Sequence, residues 1–404
     1  MNKNLSRRDF LKLAGATSTG LALSACGVKA TDLPKPTLTA LPSVTPSLVP
    51  SPTATNTPAP TATATPKPPV TLRDFAEILG IKIGTYIDPQ ARFWENPSWL
   101  NVASREFNLA VNSIYWHVLI PSENKFDFGL PDAQVDFAIK NHMEIRGESL
   151  VFSFFLPDWI KNGSFTREQS ITLFEQIIPK FMNRYKGKIK TWVVVNEAGF
   201  IYQGWDFFDK HIGKDYVEIA FQIARNTDPS VDLIYNDFGN EGMKGNKYKQ
   251  TVQILDSLRK RKLIDGVGLE MHIEPILDDP TKFVSNAGNS HYVVSIDDFI
   301  ETMKSYELPV HITELDVDLR NIDKPQAERF DMQAKLYGNV IDAILKAGVC
   351  KQITFWGFGD KYSWLEQTEF NGSTKADPTL FDDDLKPKPA YFAVRDVLKN
   401  YAQS

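Results

Sequence analysis

Two glutamates in this chain of 404 residues each come at the end of a short apolar run. Glu197 follows residues 191–196 and Glu314 ends residues 310–314, so 117 positions separate them. Facing carboxyl groups can cleave a glycosidic bond, because one protonates the glycosidic oxygen while the other attacks the anomeric carbon. A gap of about 5–5.5 Å gives retention of configuration, and a wider gap gives inversion. Asn196, directly before Glu197, could donate a hydrogen bond to a sugar 2-hydroxyl.

The elements that must position these glutamates are eight apolar runs that alternate with amphipathic segments. We interpret as strands residues 81–87, 109–115, 144–151, 191–196, 233–236, 266–272, 310–314 and 352–356. Helical spacing of apolar residues is found in residues 167–185, 215–226, 246–261 and 326–347. Such alternation predicts an α/β fold of parallel strands and crossover helices, and eight units close into a (β/α)8 TIM barrel. An open doubly wound sheet is the main rival, but no glycine-rich nucleotide-binding turn follows the first run.

The barrel prediction puts both glutamates where active sites are built. They end the fourth and seventh strands, and the carboxyl ends of barrel strands surround one central cleft. Helix ends are also readable: Thr166 is predicted as the N-cap of one helix, and Gly348 as the C-cap of another. A lone glutamate at a strand end is usually solvated or salt-bridged, but two of them with Asn196 favour catalysis.

Composition excludes several classes of function. Residues 71–404 hold 38 basic and 48 acidic side chains, a net charge of −10, and such a domain binds nucleic acid poorly. The two cysteines, Cys26 and Cys350, exclude a disulfide framework and a cysteine-rich zinc site. We expect no metal, because the histidine–carboxylate pairs are too sparse for a catalytic metal set: His272 with Glu274, and His311 with Glu314. We also expect no cofactor, since no cofactor motif occurs, and we expect a monomer.

The first 69 residues form two segments that precede the domain at residues 70–404. Residues 1–25 carry the pair Arg7-Arg8 before a modest apolar stretch, which is typical of a twin-arginine signal peptide. Residues 23–26, Leu-Ser-Ala-Cys, resemble a bacterial lipobox, which implies lipid attachment to Cys26. Residues 26–69 then form a disordered Pro/Thr-rich linker, since residues 30–69 hold eleven prolines and ten threonines. We expect anchoring at the outer face of the cell membrane or at the cell surface; the alternative is a secreted protein with a chance cysteine.

Several segments together resemble glycoside hydrolase family 10, the endo-β-1,4-xylanase family. Val-Val-Asn-Glu-Ala at 194–198 and Ile-Thr-Glu-Leu-Asp at 312–316 resemble its two active-site signatures. Weaker likenesses follow in the family's order at residues 146–147, 156–159, 235–237, 264–272, 354–364, 380–382 and 388–391. The resemblance runs through nearly all of residues 75–400.

The resemblance implies roles for particular residues. Glu197 would be the acid/base and Glu314 the nucleophile. Asn196 would bind the sugar 2-hydroxyl, and His272 would hydrogen-bond Glu314 and hold it ionised. Trp356 and Trp364 would form an aromatic wall, and the further substrate-binding or supporting residues would be Asn112, Tyr115, Glu148 and Asn236. Core packing is the plainer alternative for His272 and the two tryptophans.

The chain departs from the family pattern where xylose hydroxyls would be held. Asn112 and Trp116 keep the family's residue types, while the residues that differ are Val111, Tyr115, Glu148, Phe152, Ser153 and Glu270. The catalytic residues are therefore kept while the residues that would bind the sugar are altered, which predicts weak activity on plain xylan.

The function predicted from these observations is that of a retaining endo-β-1,4-xylanase that binds a xylan-like polysaccharide or oligosaccharide. One alternative is the same mechanism on another β-linked glycan. A non-catalytic carbohydrate-binding lipoprotein is disfavoured because it would need neither glutamate, and a metal-dependent hydrolase is disfavoured by the sparse ligands.

Overall fold

The computed structural model describes residues 70–87, 95–198, 206–286, 291–366 and 375–404. The predicted signal peptide, the lipidation site Cys26 and the linker at residues 26–69 lie outside the described residues.

Eight parallel strands close into a barrel, which confirms the predicted fold. In ring order they are β1 (Lys82–Tyr86), β2 (Leu109–Ser113), β3 (Glu144–Glu148), β4 (Thr191–Asn196), β5 (Asp232–Asp237), β6 (Gly266–Leu269), β10 (Val310–Val317) and β11 (Cys350–Phe355). The ring closes because β11 pairs with β10 on one side and with β1 on the other. The strands consist largely of β-branched and other apolar residues, and they are buried on both faces, as a barrel within a helical layer requires.

Helices surround the barrel and bury their apolar faces against it. They are Leu72–Leu79, Pro97–Glu106, Trp116–Leu119, Gly129–Lys140, Asp158–Lys161, Arg167–Arg184, Phe207–His211, Tyr216–Thr227, Asn246–Lys260, Ile296–Ser305, Gln326–Ala347 and Pro389–Gln403. Both predicted caps are confirmed: Thr166 forms a capping box with Gln169, and Gly348 ends its helix in the left-handed conformation. In the described part of the chain, no helix combines the length and the apolar character needed to cross a membrane.

The sixth predicted strand is wrong in its bounds. Residues 266–272 do not form one strand, because β6 ends at Leu269 and Met271 takes a left-handed backbone with φ of 61°. The chain then turns into a small antiparallel addition that the sequence interpretation missed: β7 (His272–Ile276), β8 (Asp279–Asn286) and β9 (His291–Ser295). Since β7 pairs in parallel with the end of β10, this addition brings His272 level with Asp316.

Candidate active site

Glu197 lies at the carboxyl end of β4, directly after the last residue of the strand. Its backbone is left-handed, with φ of 54°, a conformation that costs a non-glycine residue of order 1–2 kcal/mol. The Glu197 backbone N–H donates to the Asn236 carbonyl of β5 at 3.0 Å and so holds this turn. The side chain is nearly buried, with its Oε1 3.5 Å from the Asn196 amide nitrogen.

Glu314 lies within β10, and its two carboxylate oxygens have different partners. Oε1 accepts a hydrogen bond from the Asn236 amide at 3.2 Å. Oε2 lies 3.2 Å from Nε2 of His272. Burial raises the pKa of Glu314, and the nearby acidic groups Glu270 and Glu148 act in the same direction, while His272 acts in the opposite direction.

His272 is held between two carboxylates and is an imidazolium at neutral pH. Its Nδ1 lies 2.9 Å from Oδ2 of Asp316, and Nε2 faces Glu314. Burial by itself would lower the pKa of His272, but Asp316 and Glu314 outweigh burial and raise it to about 10. Asp316 is fixed in turn by the Trp364 indole N–H, which donates to Oδ2 at 2.8 Å. The positive charge beside Glu314 favours the ionised form of this carboxyl group.

Asn236 connects the ends of β4, β5 and β10. Its amide nitrogen donates to Oδ1 of Asn196 at 2.8 Å and to Glu314, and its Oδ1 accepts from the Thr313 hydroxyl at 2.6 Å. Because Oδ1 of Asn196 is used in this way, the Asn196 amide nitrogen is turned toward Glu197. A Cβ on Gly268 would lie 2.1 Å from Oδ1 of Asn236, so the network requires glycine there.

Glu148 lies near the site, but it is committed to another residue. Its Oε2 accepts from Nε and Nη2 of Arg146 at 3.1 and 2.8 Å, and both side chains are buried inside the barrel. Arg146 also donates to the Thr354 hydroxyl and the Thr313 carbonyl across the barrel. One oxygen of Glu148, predicted as a substrate-binding or supporting residue, is therefore engaged by the guanidinium two residues earlier.

Aromatic side chains form one part of the site. Trp356 stacks on Tyr86, with ring centroids 4.3 Å apart, and Trp364 packs edge-on to His272 at 5.0 Å. Tyr115 and Phe155 are 4.6 Å apart. They belong, with Trp364, to an apolar cluster that also contains Phe152, Phe154 and Phe238. Tyr115 lies close enough to the acidic groups for their charges to matter: burial first, then Tyr86, Glu148, Glu314 and Glu270, raise its pKa well above its ordinary value.

Asn112 is the predicted site residue that the structure places elsewhere. Its amide nitrogen donates to the Pro131 carbonyl at 3.0 Å and to Oε1 of Gln134 at 3.2 Å, in the helix outside β2. These two contacts show that Asn112 faces the helical layer. Of the two roles predicted for Asn112, substrate binding or support, these contacts favour support, because they join strand and helix.

Several residues of the site were missed or named only as parts of a motif. Asp316 orients His272, Arg146 neutralises Glu148, and Tyr86 stacks under Trp356. The alternation of side chains along a strand could have indicated Asp316 and Arg146. Residues 314 and 316 share one strand face, and so do residues 146 and 148. An aromatic residue at the end of the first strand was the available signal for Tyr86.

The ligand atoms of Glu270, His272 and Glu314 lie within 4.8 Å of one another, a grouping not foreseen from the sequence. Both ring nitrogens of His272 face carboxylates in this structure, Nδ1 at 2.9 Å from Asp316 and Nε2 at 3.2 Å from Glu314. His272 therefore serves here as the partner of the acidic groups.

Buried carboxyl groups at the mouth of a parallel barrel are the machinery of glycoside hydrolysis, and this chain is an enzyme of that class. Residues 71–397 match the family model described as glycosyl hydrolase family 10. The chain belongs to that family.

Proteins similar to this chain in sequence and structure agree with this assignment. Endo-1,4-beta-xylanase B of Thermotoga neapolitana is 31% identical over 339 residues, which cover 82% of this chain and 92% of the relative. Xylanase 10B of Thermotoga petrophila, solved in complex with xylobiose, superposes with a TM-score of 0.73 and 29% identity, over 84% of this chain and 100% of that one. A mutant of Xylanase10C from Cellvibrio japonicus, in complex with xylopentaose, has a TM-score of 0.69 and 27% identity, over 79% and 67% of the two chains.

Proposed function

We propose that this glycoside hydrolase is a retaining endo-β-1,4-xylanase that cleaves internal β-1,4-xylosidic bonds by double displacement. The observation that carries the proposal is the different environment of the two glutamates. Glu314 faces the imidazolium of His272 and the amide of Asn236, which favours a carboxylate nucleophile. Glu197 lies at the end of β4, beside the Asn196 amide.

The proposed reaction has two steps at the anomeric carbon. Glu197 first protonates the glycosidic oxygen while Glu314 attacks, which gives a covalent glycosyl-enzyme. Glu197 then removes a proton from water, and the water displaces Glu314 with net retention. The Asn196 amide nitrogen, oriented by Asn236, donates to the sugar 2-hydroxyl, where transition-state contacts strengthen.

The substrate class is taken from the relatives, which are named as endo-1,4-β-xylanases and one of which was solved with xylobiose. A xylan-like β-glycan is therefore the substrate to test first. The test is a product profile on plain xylan, decorated xylans, mixed-linkage β-glucan and cellulose, with the anomer first released followed by proton NMR. Short xylo-oligosaccharides released initially as the β-anomer are expected; initial release of the α-anomer would contradict double displacement.

A second candidate is the same mechanism on a different or decorated β-glycan. The specific observation is that aromatic side chains stand where the family has polar sugar-binding residues. Phe152 packs with Phe154 and Phe155, and Tyr115 packs on Phe155. Aromatic faces suit the C–H faces of pyranose rings but supply few hydrogen bonds to hydroxyls. On the same product panel, this candidate requires kcat/KM for another β-glycan to exceed that for plain xylan.

We also propose that the enzyme is exported by the twin-arginine route and anchored through a lipid on Cys26. Support comes from the sequence alone: the pair Arg7-Arg8, the lipobox-like residues 23–26, and a Pro/Thr-rich spacer before the domain. An extended chain of about 3 Å per residue would hold the barrel up to ~100 Å from the membrane.

A further inference from the structure

Glu270 is a buried acidic side chain that the two-glutamate mechanism does not use. It follows β6 directly and is 0% exposed. Its Oε1 accepts from the Asn236 amide at 3.3 Å, and its Oε2 lies 3.7 Å from Nε2 of His272. Asn236 and His272 are the same two groups that contact Glu314, so Glu270 and Glu314 share their partners.

Among the side chains that the structure describes, negative charge is in excess around this pair. Glu241, Glu270, Glu314 and Asp316 are all buried, while His272 contributes one positive charge. That charge is already matched by Asp316 at 2.9 Å, and Arg146 is committed to Glu148. Glu241 is held by the Ser285 hydroxyl and the backbone N–H groups of Gly239 and Met271.

Two buried carboxyl groups that share a site do not both ionise at neutral pH. Carboxyl atoms of Glu270 and Glu314 come within 4.8 Å, and adjacent like charges strongly raise the pKa of one member of such a pair. Within the part of the chain that the structure describes, the ionisable groups near Glu270 include Glu314, His272, Glu241 and Tyr115. Of these four groups, only His272, as a cation, would stabilise a negative charge on Glu270 in addition to the one on Glu314.

The geometry identifies which partner keeps the proton. His272 lies within hydrogen-bond distance of Glu314, at 3.2 Å, but 3.7 Å from Glu270. Glu314 is also 5% exposed, against 0% for Glu270, so a charge on Glu270 is the worse solvated. We propose that Glu270 is a protonated carboxyl group in the resting enzyme, and that as a positioning residue it keeps the single negative charge of the pair on Glu314. The proposal rests on the proposed function only in taking Glu314 as the nucleophile.

Infrared spectroscopy at pH 7 in D2O tests the proton directly, without substrate. Glu197, the proposed acid, contributes a carbonyl band of its own, so a proton on Glu270 is expected to appear as the loss of one carbonyl band from the wild-type spectrum in Glu270→Gln. Glu241→Gln is the matched control, because it also removes a buried acid near the site, and it should keep the band. A wild-type minus Glu270→Gln difference spectrum without a lost carbonyl band, or loss of the same band in Glu241→Gln, overturns the proposal. If Glu270→Gln fails to fold, Glu270→Asp replaces it: a carbonyl band that moves identifies Glu270, and a spectrum unchanged from wild type overturns the proposal.

The ionisation of Glu314 gives an independent readout. Inactivation by a 2-deoxy-2-fluoro-β-xylobioside with a dinitrophenyl leaving group needs little acid help, so its acidic midpoint reports the nucleophile. Glutamine resembles a neutral Glu270, so the midpoint in Glu270→Gln should stay within about half a pH unit of wild type. Had Glu270 been charged, its removal from 4.8 Å away would lower the midpoint by about two pH units, and that result would overturn the proposal. Failure of the inactivator to react at all would count against the proposed function, and the infrared result would still stand.

Discussion

The charges around each glutamate separate their roles at the residue scale. Glu314 has a cation on one oxygen and an amide donor on the other, and both favour its anionic form against the burial that raises its pKa. Glu197 is presented by the turn after β4, with the Asn196 amide beside it. Preorganised charge of this kind is usually the largest contribution to catalysis.

The two roles predict opposite behaviour of two alanine variants. Glu314→Ala should lower kcat by more than about 10⁴-fold on every substrate, because no covalent intermediate can form. Glu197→Ala should lower kcat on xylan by about 10²–10⁴-fold, yet keep the first step on aryl xylobiosides with good leaving groups. Added azide should give a β-configured product with Glu197→Ala and an α-configured product with Glu314→Ala, read by NMR. Equal losses on good and poor leaving groups in Glu197→Ala would reverse the assignment.

The charge on His272 predicts an alkaline loss of stability. Its pKa rises from 6.5 to about 10 on folding, so the folded state holds a proton that the unfolded state releases. Its contribution is complete below pH 6.5 and is lost as pH rises toward about 10. Across that window, the free energy of unfolding should fall, relative to His272→Gln, by up to about 1.4 kcal/mol per pH unit. Urea unfolding at several pH values measures it, and parallel curves for the two proteins would exclude the shift.

At the element scale, the site is built where regular strand geometry is interrupted. Glu197 follows β4 with φ of 54°, and Met271 takes φ of 61° just before His272. The register between β10 and β11 also shifts between Ile312 and Leu315, on either side of Glu314. Each interruption turns a side chain out of strict alternation and toward the shared network. Strained backbone of this kind persists because the surrounding barrel holds it in place.

Gly348 offers a test of element boundaries that does not touch the site. It ends the helix Gln326–Ala347 with φ of 70°, and a Cβ there would meet no atom within 4 Å. The cost of Gly348→Ala is therefore one of backbone conformation, about 1 kcal/mol of unfolding free energy. Gly348→Asn should cost less, because asparagine tolerates the left-handed region, and both variants should keep full activity. If the asparagine variant were as unstable as the alanine variant in urea, the loss of stability would come from steric contacts and not from the left-handed backbone conformation.

At the scale of the whole molecule, catalysis and anchoring belong to different parts of the chain. The family match covers residues 71–397, and the barrel with its helices buries a core of its own. The features that predict export and lipidation all lie before residue 70. Residues 70–404 alone are therefore expected to fold and keep activity.

If Cys26 carries the lipid anchor, a single substitution there should change the cell fraction in which the enzyme is found. Cys26→Ser should move the enzyme from the membrane fraction to the soluble one, since that thiol would be the attachment point. Cys350→Ser is the matched control: this thiol lies at the start of β11, and burial raises its pKa to about 12, so it is unreactive. Fractionation and acyl-mass measurement check both. Cys26→Ser remaining in the membrane fraction, with no acyl mass on the wild-type protein, would contradict the anchor.

Most of the strands could be read from the sequence, because a barrel strand has a local signature. Residues 191–196 were predicted residue for residue as β4, and Thr166 and Gly348 were recognised as caps from residue type alone. The break after Leu269 and the antiparallel addition β7–β9 were not predicted. His272 starts this addition only because Met271 adopts a left-handed backbone, which its residue type does not indicate.

The sequence by itself determined the barrel and its two strand-end glutamates, since both depend on short-range periodicity and on which residue ends each run. Only the tertiary structure decided what those glutamates face. Asn236 reaches Glu314 across 78 residues of chain, and Arg146 reaches the Thr313 carbonyl across 167. The pairing of the strands also turns Asn112 toward the helical layer and brings Glu270 beside Glu314. Such distances follow from how the strands pair around the barrel, and no local pattern of residue types encodes that pairing.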